Sequence, residues 1–177
     1  MAARSVDLTD DRLPSMQILN NIMGGSMSSR LFQHVREQKG LAYSVFSMNS
    51  PFSEDGYFSI YAAVGRDNVR PAVGAIKEEL RLLKEGGITK EELSKAKEQI
   101  KSSYIFGNES VAARMYINGK NLLLEGVVHP AKEVLEKIDA VSMEDIEDVK
   151  GMICDPDAYS AVLVSGKKAD MRKIMRG

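Results

Sequence analysis

One cysteine, Cys154, and two histidines, His34 and His129, are all that 177 residues provide in thiol and imidazole. A lone cysteine forms no internal disulfide, and such a chain suits a reducing compartment. Cys154 has no histidine near it in sequence and no Gly-x-Ser-x-Gly elbow occurs, so neither a cysteine nor a serine hydrolase is supported. Cys154 reads instead as a half-buried structural thiol. The double glycines Gly24-Gly25 and Gly86-Gly87 are not followed by Lys-Ser or Lys-Thr, which removes a phosphate loop and nucleotide binding with it. No apolar run approaches the ~20 residues of a membrane span. Met1-Ala2-Ala3-Arg4 leads into no signal-peptide core. The formal charge is −1, from 24 basic and 25 acidic residues, so nothing draws the whole chain to nucleic acid or anionic lipid. Its most basic piece, Lys167, Lys168, Arg172, Lys173 and Arg176, reads as a solvated terminal helix. Neither nucleic acid nor membrane is an expected partner, and a cytoplasmic location of bacterial type is expected.

What is present is ordinary soluble-protein composition, 44% hydrophobic and 28% charged, at a length that buries a core without staples. A single domain over 1–177 is expected. Ser5 to Leu8 reads as a short strand or the end of one. Asp10-Asp11-Arg12-Leu13-Pro14 opens a helix that carries Met16, Ile18, Leu19, Ile22 and Met23 up to Gly24. Leu41–Asn49 and Tyr57–Val64 alternate as an antiparallel hairpin around the Pro51–Gly56 loop, with Leu41, Tyr43 and Val45 sharing one face. Asn68–Lys84 is amphipathic, with a stripe of Val69, Val73, Ile76, Leu80 and Leu83. Thr89 with Glu92 forms a capping box for the next helix. Further helices start at Asn108 or Ser110, at His129-Pro130, and at Ser142, which caps its helix. Tyr159–Ser165, rich in β-branched residues, reads as a last strand. The expected class is α+β, with helices packed on one face of an antiparallel or mixed sheet.

The most informative stretch runs from Gly24 to Val45. It reads as a glycine break, a short helix capped by Ser26, Ser28 or Ser29, a second break at Gly40, and a strand. Arg36 lies near the end of that helix and Tyr43 at the start of the strand, two polar groups on rigid elements flanking one turn. On composition and spacing alone, Arg36 reads as a salt bridge to a neighbouring helix and Tyr43 as a half-buried strand residue.

The blocks Gly24-Gly25-Ser26-Met27-Ser28-Ser29-Arg30-Leu31-Phe32, Val35-Arg36-Glu37 and Gly40-Leu41-Ala42-Tyr43-Ser44 resemble the C-terminal half of the pitrilysin/insulinase family of zinc peptidases, nearest its processing-peptidase branch. The resemblance continues through Glu54-Asp55-Gly56-Tyr57-Phe58 to Glu91-Glu92-Leu93. Family enzymes resemble a clam whose two related halves enclose a chamber, with an H-x-x-E-H zinc motif in the first half. His34-Val35-Arg36-Glu37-Gln38 is one letter short of that motif: Gln38 stands where the second histidine belongs, and an amide is a poor zinc ligand. No metal ligand is expected in this chain. Zinc is expected in a partner, a homologous N-terminal domain or subunit.

The resemblance also implies roles for Arg36 and Tyr43. In family members that cleave peptides, an arginine and a tyrosine seven positions apart reach across to the zinc site, and Arg36 and Tyr43 have that spacing and context. The two residues are thus the expected catalytic and substrate-binding groups, acting on the carbonyl oxygen of an extended peptide as it gains negative charge. The expected function is the C-terminal domain of a zinc-dependent processing endopeptidase, inactive alone and a piece of a longer chain truncated inside its first strand. The alternative is a non-catalytic scaffold or core subunit of the same fold. Apolar surface left open where the other half docks is expected to let the isolated domain dimerise or aggregate.

Overall fold

The structure is a computed structural model that describes residues 1–166 and 169–176; Lys167 and Lys168 of the basic tail lie outside the described residues. Its sheet has three antiparallel strands, β1 (Ala2–Ser5), β2 (Ala42–Pro51) and β3 (Gly56–Val64), in the order β1-β3-β2. The helices are α1 (Leu13–Asn20), α2 (Val69–Gly86), α3 (Lys90–Gly107), α4 (Val111–Glu125), α5 (Ala131–Ala140), α6 (Met143–Ile153) and α7 (Met171–Arg176). This is the α+β class that the alternation of patterns predicts.

One face of the sheet supplies Val45, Phe58 and Ile60 to the core. Met16, Ile18 and Leu19 of α1, Ile76, Leu80 and Leu83 of α2, and Ile146, Val149 and Ile153 of α6 are buried in the same core. Each such side chain contributes about 1.5–3 kcal/mol on burial. The capping box at Thr89/Glu92 starts α3 as expected, and Ser142 caps α6 as part of a second box with Asp145 that the sequence reading did not name. The first helix continues from α1 into a π-helical turn, Asn21–Gly25, that brings its backbone against β2. A Cβ on Gly24 would overlap the backbone nitrogen of Ser47, so only glycine permits this approach. In contrast, α4 buries none of its residues, and Val111, Met115, Tyr116, Leu122 and Leu123 all face solvent.

Three expectations change. The last strand does not form: Ser160 makes a single bridge to Ala2, with paired bonds of 2.8 and 2.9 Å. Beyond that bridge no strand pairing continues among the described residues, and Val162 and Val164 stand exposed. The first strand lies earlier than Ser5–Leu8, at Ala2–Ser5, because these residues match the register of β3 from Ser59 to Gly56. Finally, Tyr43 does not share a face with Val45. Ala42 pairs with Val64 and Ser44 with Ala63, so Tyr43 is an extra residue in a β-bulge. The bulge shifts the alternation: Ala42, Val45 and Ser47 face the core, while Tyr43, Phe46 and Met48 face out.

Candidate functional site

The site is built from a helix, a turn and a strand. Its helix includes a π-helical segment, Phe32–Gln38; Val35 within it and Leu31 just before it are fully buried. Arg30 anchors the entry. Its guanidinium meets Glu92 in a two-pronged contact, Nε to Oε1 at 2.6 Å and Nη2 to Oε2 at 2.8 Å, and Nη2 also donates to the Gly87 carbonyl at 2.8 Å. Burial works against the Glu92 charge, but Arg30 and the backbone N–H of Thr89 outweigh it and hold the carboxyl below its ordinary value. None of Ser26, Ser28 or Ser29 caps the helix through an accepting side chain. The Ser29 hydroxyl instead donates to the Ser26 carbonyl at 2.5 Å, folding the loop on itself.

The helix ends in a turn fixed by its backbone. Lys39 N–H donates to the His34 carbonyl, Gly40 N–H to that of Arg36, and Leu41 N–H to that of Val35, at 3.0–3.2 Å. Gly40 has φ +59°, the left-handed angle expected at this stop. The chain then enters β2 and reaches the bulge at once. Arg36 and Tyr43 therefore sit on opposite sides of one braced turn. Arg36 lies over the Phe32 ring at 4.7 Å, with its Nε 3.6 Å from Glu37, rather than bridging to another helix. Tyr43 is 85% exposed, and its hydroxyl has no partner among the described residues. A half-buried strand tyrosine is not what the structure holds. Both side chains are open at the surface as donors, one a fixed cation and the other a phenol.

The helix carrying Arg36 is also tied to α2. His34 Nδ1 lies 2.6 Å from Oε1 of Glu79, a carboxylate that is only 3% exposed, and Glu79 Oε2 is buried with no partner. Sequence reading passed over Glu79, yet a signal was there: it stands three residues after Ile76 and four before Leu83, inside the apolar stripe. Arg30 was likewise missed as an anchor. With His34 turned to Glu79 and an amide at Gln38, the donor set near the H-x-x-E-Q run does not fit zinc. No three His, Cys, Asp or Glu side chains come together elsewhere among the described residues.

The remaining sequence candidates are structural. Cys154 is buried more deeply than expected, and burial pushes its thiol up to about 11. His129 lies in the connection between α4 and α5, with Nε2 3.0 Å from Glu125 Oε2 and Nδ1 3.8 Å from Glu133 Oε1.

Comparison with known proteins places the chain. Residues 1–100 match the family model of the peptidase M16 inactive domain. The chain belongs to the M16 peptidase family, as its inactive domain, which bears out the resemblance read from the Gly24–Ser44 block. It is 39% identical over 162 residues to YmxG of Bacillus subtilis, described as an uncharacterized zinc protease, covering 92% of this chain and 39% of that protein. It is 38% identical over 153 residues to an uncharacterized zinc protease of Rickettsia bellii, covering 86% of this chain and 37% of that one. The chain thus spans about two fifths of the length of these relatives. Among solved structures, a peptidase M16 inactive domain from Pseudomonas fluorescens superposes with TM-score 0.75 at 21% identity, over 84% of this chain and 35% of that chain. A chain of Complex III2 from Candida albicans gives TM-score 0.75 at 21% identity over 85% of this chain and 38% of that one, a likeness of fold alone.

Proposed function

We propose that this chain is the non-metal-binding half of a zinc-dependent endopeptidase. It forms one wall of the substrate cleft and supplies Arg36 and Tyr43 to the carbonyl of an extended peptide. The observation that carries this reading is the bulge. A one-residue insertion in β2 turns Tyr43 out of the core at the end of a braced turn, across which lies the only arginine of the π-helical segment. A strand tyrosine serving only to pack has no need of that geometry. Bulges recur where a side chain must be re-aimed next to an active site.

The chemistry asked of the two residues is modest and specific. As a peptide carbonyl is attacked, its oxygen gains negative charge. The Tyr43 hydroxyl donates a hydrogen bond to that oxygen. Arg36 holds the substrate backbone or the same oxygen, its guanidinium kept in place by the Phe32 ring below it. Donors set in advance toward developing charge are each worth about 3 kcal/mol of barrier. When bound in a homologous zinc-carrying partner domain or subunit, the metal supplies the activated water, and this chain contributes no ligand to it. Residues 1–177 act, on this reading, as one domain of a longer protein or one member of a subunit pair, and are inactive alone.

The test is to mix this chain with a zinc-carrying M16 domain from the same organism and follow cleavage of a quenched, unstructured peptide. Zinc-dependent cleavage that appears only in the mixture supports the half-enzyme. A stable complex that cleaves nothing points to a scaffold of the same fold.

A further inference from the structure

The face of the hairpin turned away from the core continues from Tyr43 without interruption. Its cross-strand rows are Ser44 with Ala63, Phe46 with Tyr61, Met48 with Ser59, and Ser50 with Tyr57. Phe46, Met48, Tyr57 and Tyr61 are all exposed, and the Phe46 and Tyr61 rings stack at 4.9 Å between centroids. No row contains a charged side chain. On β1, Ala2 stands opposite Ser59, and Arg4, opposite Tyr57 at the far end, is held by Asp55 at 2.9 Å. In a chain with 28% charged residues, a neutral aromatic and thioether surface that begins at the exposed Tyr43 is a selective feature.

We propose that this face is the specificity wall of the cleft and that it selects extended peptides carrying uncharged aromatic and aliphatic side chains over peptides rich in arginine or glutamate. The proposal rests on the half-enzyme reading above. An extended peptide presents alternate side chains to one side, a spacing that matches the rows of a sheet. Apolar side chains laid on Phe46, Tyr61 and Met48 leave water at no polar cost. A charged side chain set there loses hydration and finds no counter-charge. The hydroxyls of Ser44, Ser50 and Tyr57 remain to hydrogen-bond the peptide backbone, while that of Ser59 donates to the Met48 carbonyl. A second copy of this chain is the weaker occupant, because it would cover Tyr43 as well.

The experiment uses the full-length protein stripped of zinc, so that peptides bind without being cut. Fluorescein-labelled unstructured peptides of about 20 residues are titrated by anisotropy. One carries Phe, Leu and Tyr, and the other carries Arg and Glu in their places. The wild type is expected to bind the neutral peptide about tenfold tighter or more. Phe46→Ser combined with Tyr61→Ser is expected to bring the two peptides within about twofold, leaving the charged peptide unchanged. Both substitutions are at the surface, and an unchanged melting curve shows that the fold is kept. Equal binding in the wild type, or a preference that survives the double variant, overturns the proposal. It is also overturned if the double variant turns a wild-type dimer into a monomer without touching peptide affinity, since a second copy then owns the face. Returning zinc separates the two readings: a binding preference that stands while no peptide is ever cleaved keeps the face and removes the peptidase.

Discussion

His34 Nδ1 and Glu79 Oε1 lie 2.6 Å apart, with the Glu79 carboxylate buried in the apolar stripe of α2 and its second oxygen unpartnered. The contact joins the helix that presents Arg36 to the helix behind it. Its energetics are asymmetric. Removing the imidazole strands a buried carboxylate, whereas removing the carboxylate leaves a half-exposed imidazole that water can satisfy. His34→Ala is therefore expected to cost about 1–3 kcal/mol in urea unfolding, and Glu79→Leu less. Combining Glu79→Leu with His34→Ala should recover most of the loss. Additive losses in the double variant would show that the two side chains are not coupled.

Arg30 and Glu92 give a pH-dependent counterpart. Glu92 is held below its ordinary value of 4.5 in the fold. A carboxyl lowered in this way adds stability that is complete above the unfolded-state value and is lost as the pH falls through the folded-state one. Glu92→Gln is thus expected to cost about 1 kcal/mol near neutral pH, where the paired carboxylate is charged. Below 4.5 the gap between variant and wild type should narrow. Thermal melts across this range decide it, and a gap that widens in acid contradicts the assignment.

Two glycines near the site are expected to respond differently to alanine. At Gly24 the added methyl overlaps the Ser47 backbone, which cannot move without breaking β2 from β3, so Gly24→Ala should cost several kcal/mol or abolish folding. At Gly40 nothing lies near the new Cβ, and only the left-handed angle is strained. Gly40→Ala should cost about 1 kcal/mol in chemical denaturation. Equal costs would mean that the close approach at Gly24 is not tight.

Cys154 should be chemically quiet. Its thiol is buried and raised to about 11, so little thiolate exists at neutral pH. Labelling of the folded protein by a thiol reagent is expected to run about a thousandfold slower than in denaturant. Labelling at the rate of a free thiol would place Cys154 at the surface.

Much of this was legible in the sequence because the signals are local. Thr89 with Glu92 and Ser142 with Asp145 each satisfy their helix start within four residues, and Gly40 announces its own left-handed stop. The hairpin followed from alternation and its Asp55-Gly56 turn. What could not be read depended on distant backbone. Tyr43 moved to the outer face because β2 takes one residue more than β3 there, a mismatch visible only in the pairing. Tyr159–Ser165 had the composition of a strand, but its pairing with β1 is a single bridge from Ser160 to Ala2, a partner at the opposite end of the chain that composition does not reveal. The Arg30–Glu92 pair spans 62 residues, and no spacing rule reaches that far. Arg36 and Tyr43 were placed by resemblance, not by periodicity, and the structure adds the braced turn that separates them.

The most direct measurement compares Tyr43→Phe and Arg36→Ala with wild type in the full-length protein, following zinc-dependent cleavage of a quenched unstructured peptide. Both residues are surface groups, so folding and assembly with the zinc-carrying domain should be unchanged. The account predicts a loss in kcat of about a hundredfold or more for Tyr43→Phe, with a comparable fall in kcat/KM for Arg36→Ala. Cleavage at the wild-type rate in both variants would contradict it and return the two side chains to the surface of a domain that shapes the cleft without acting in it.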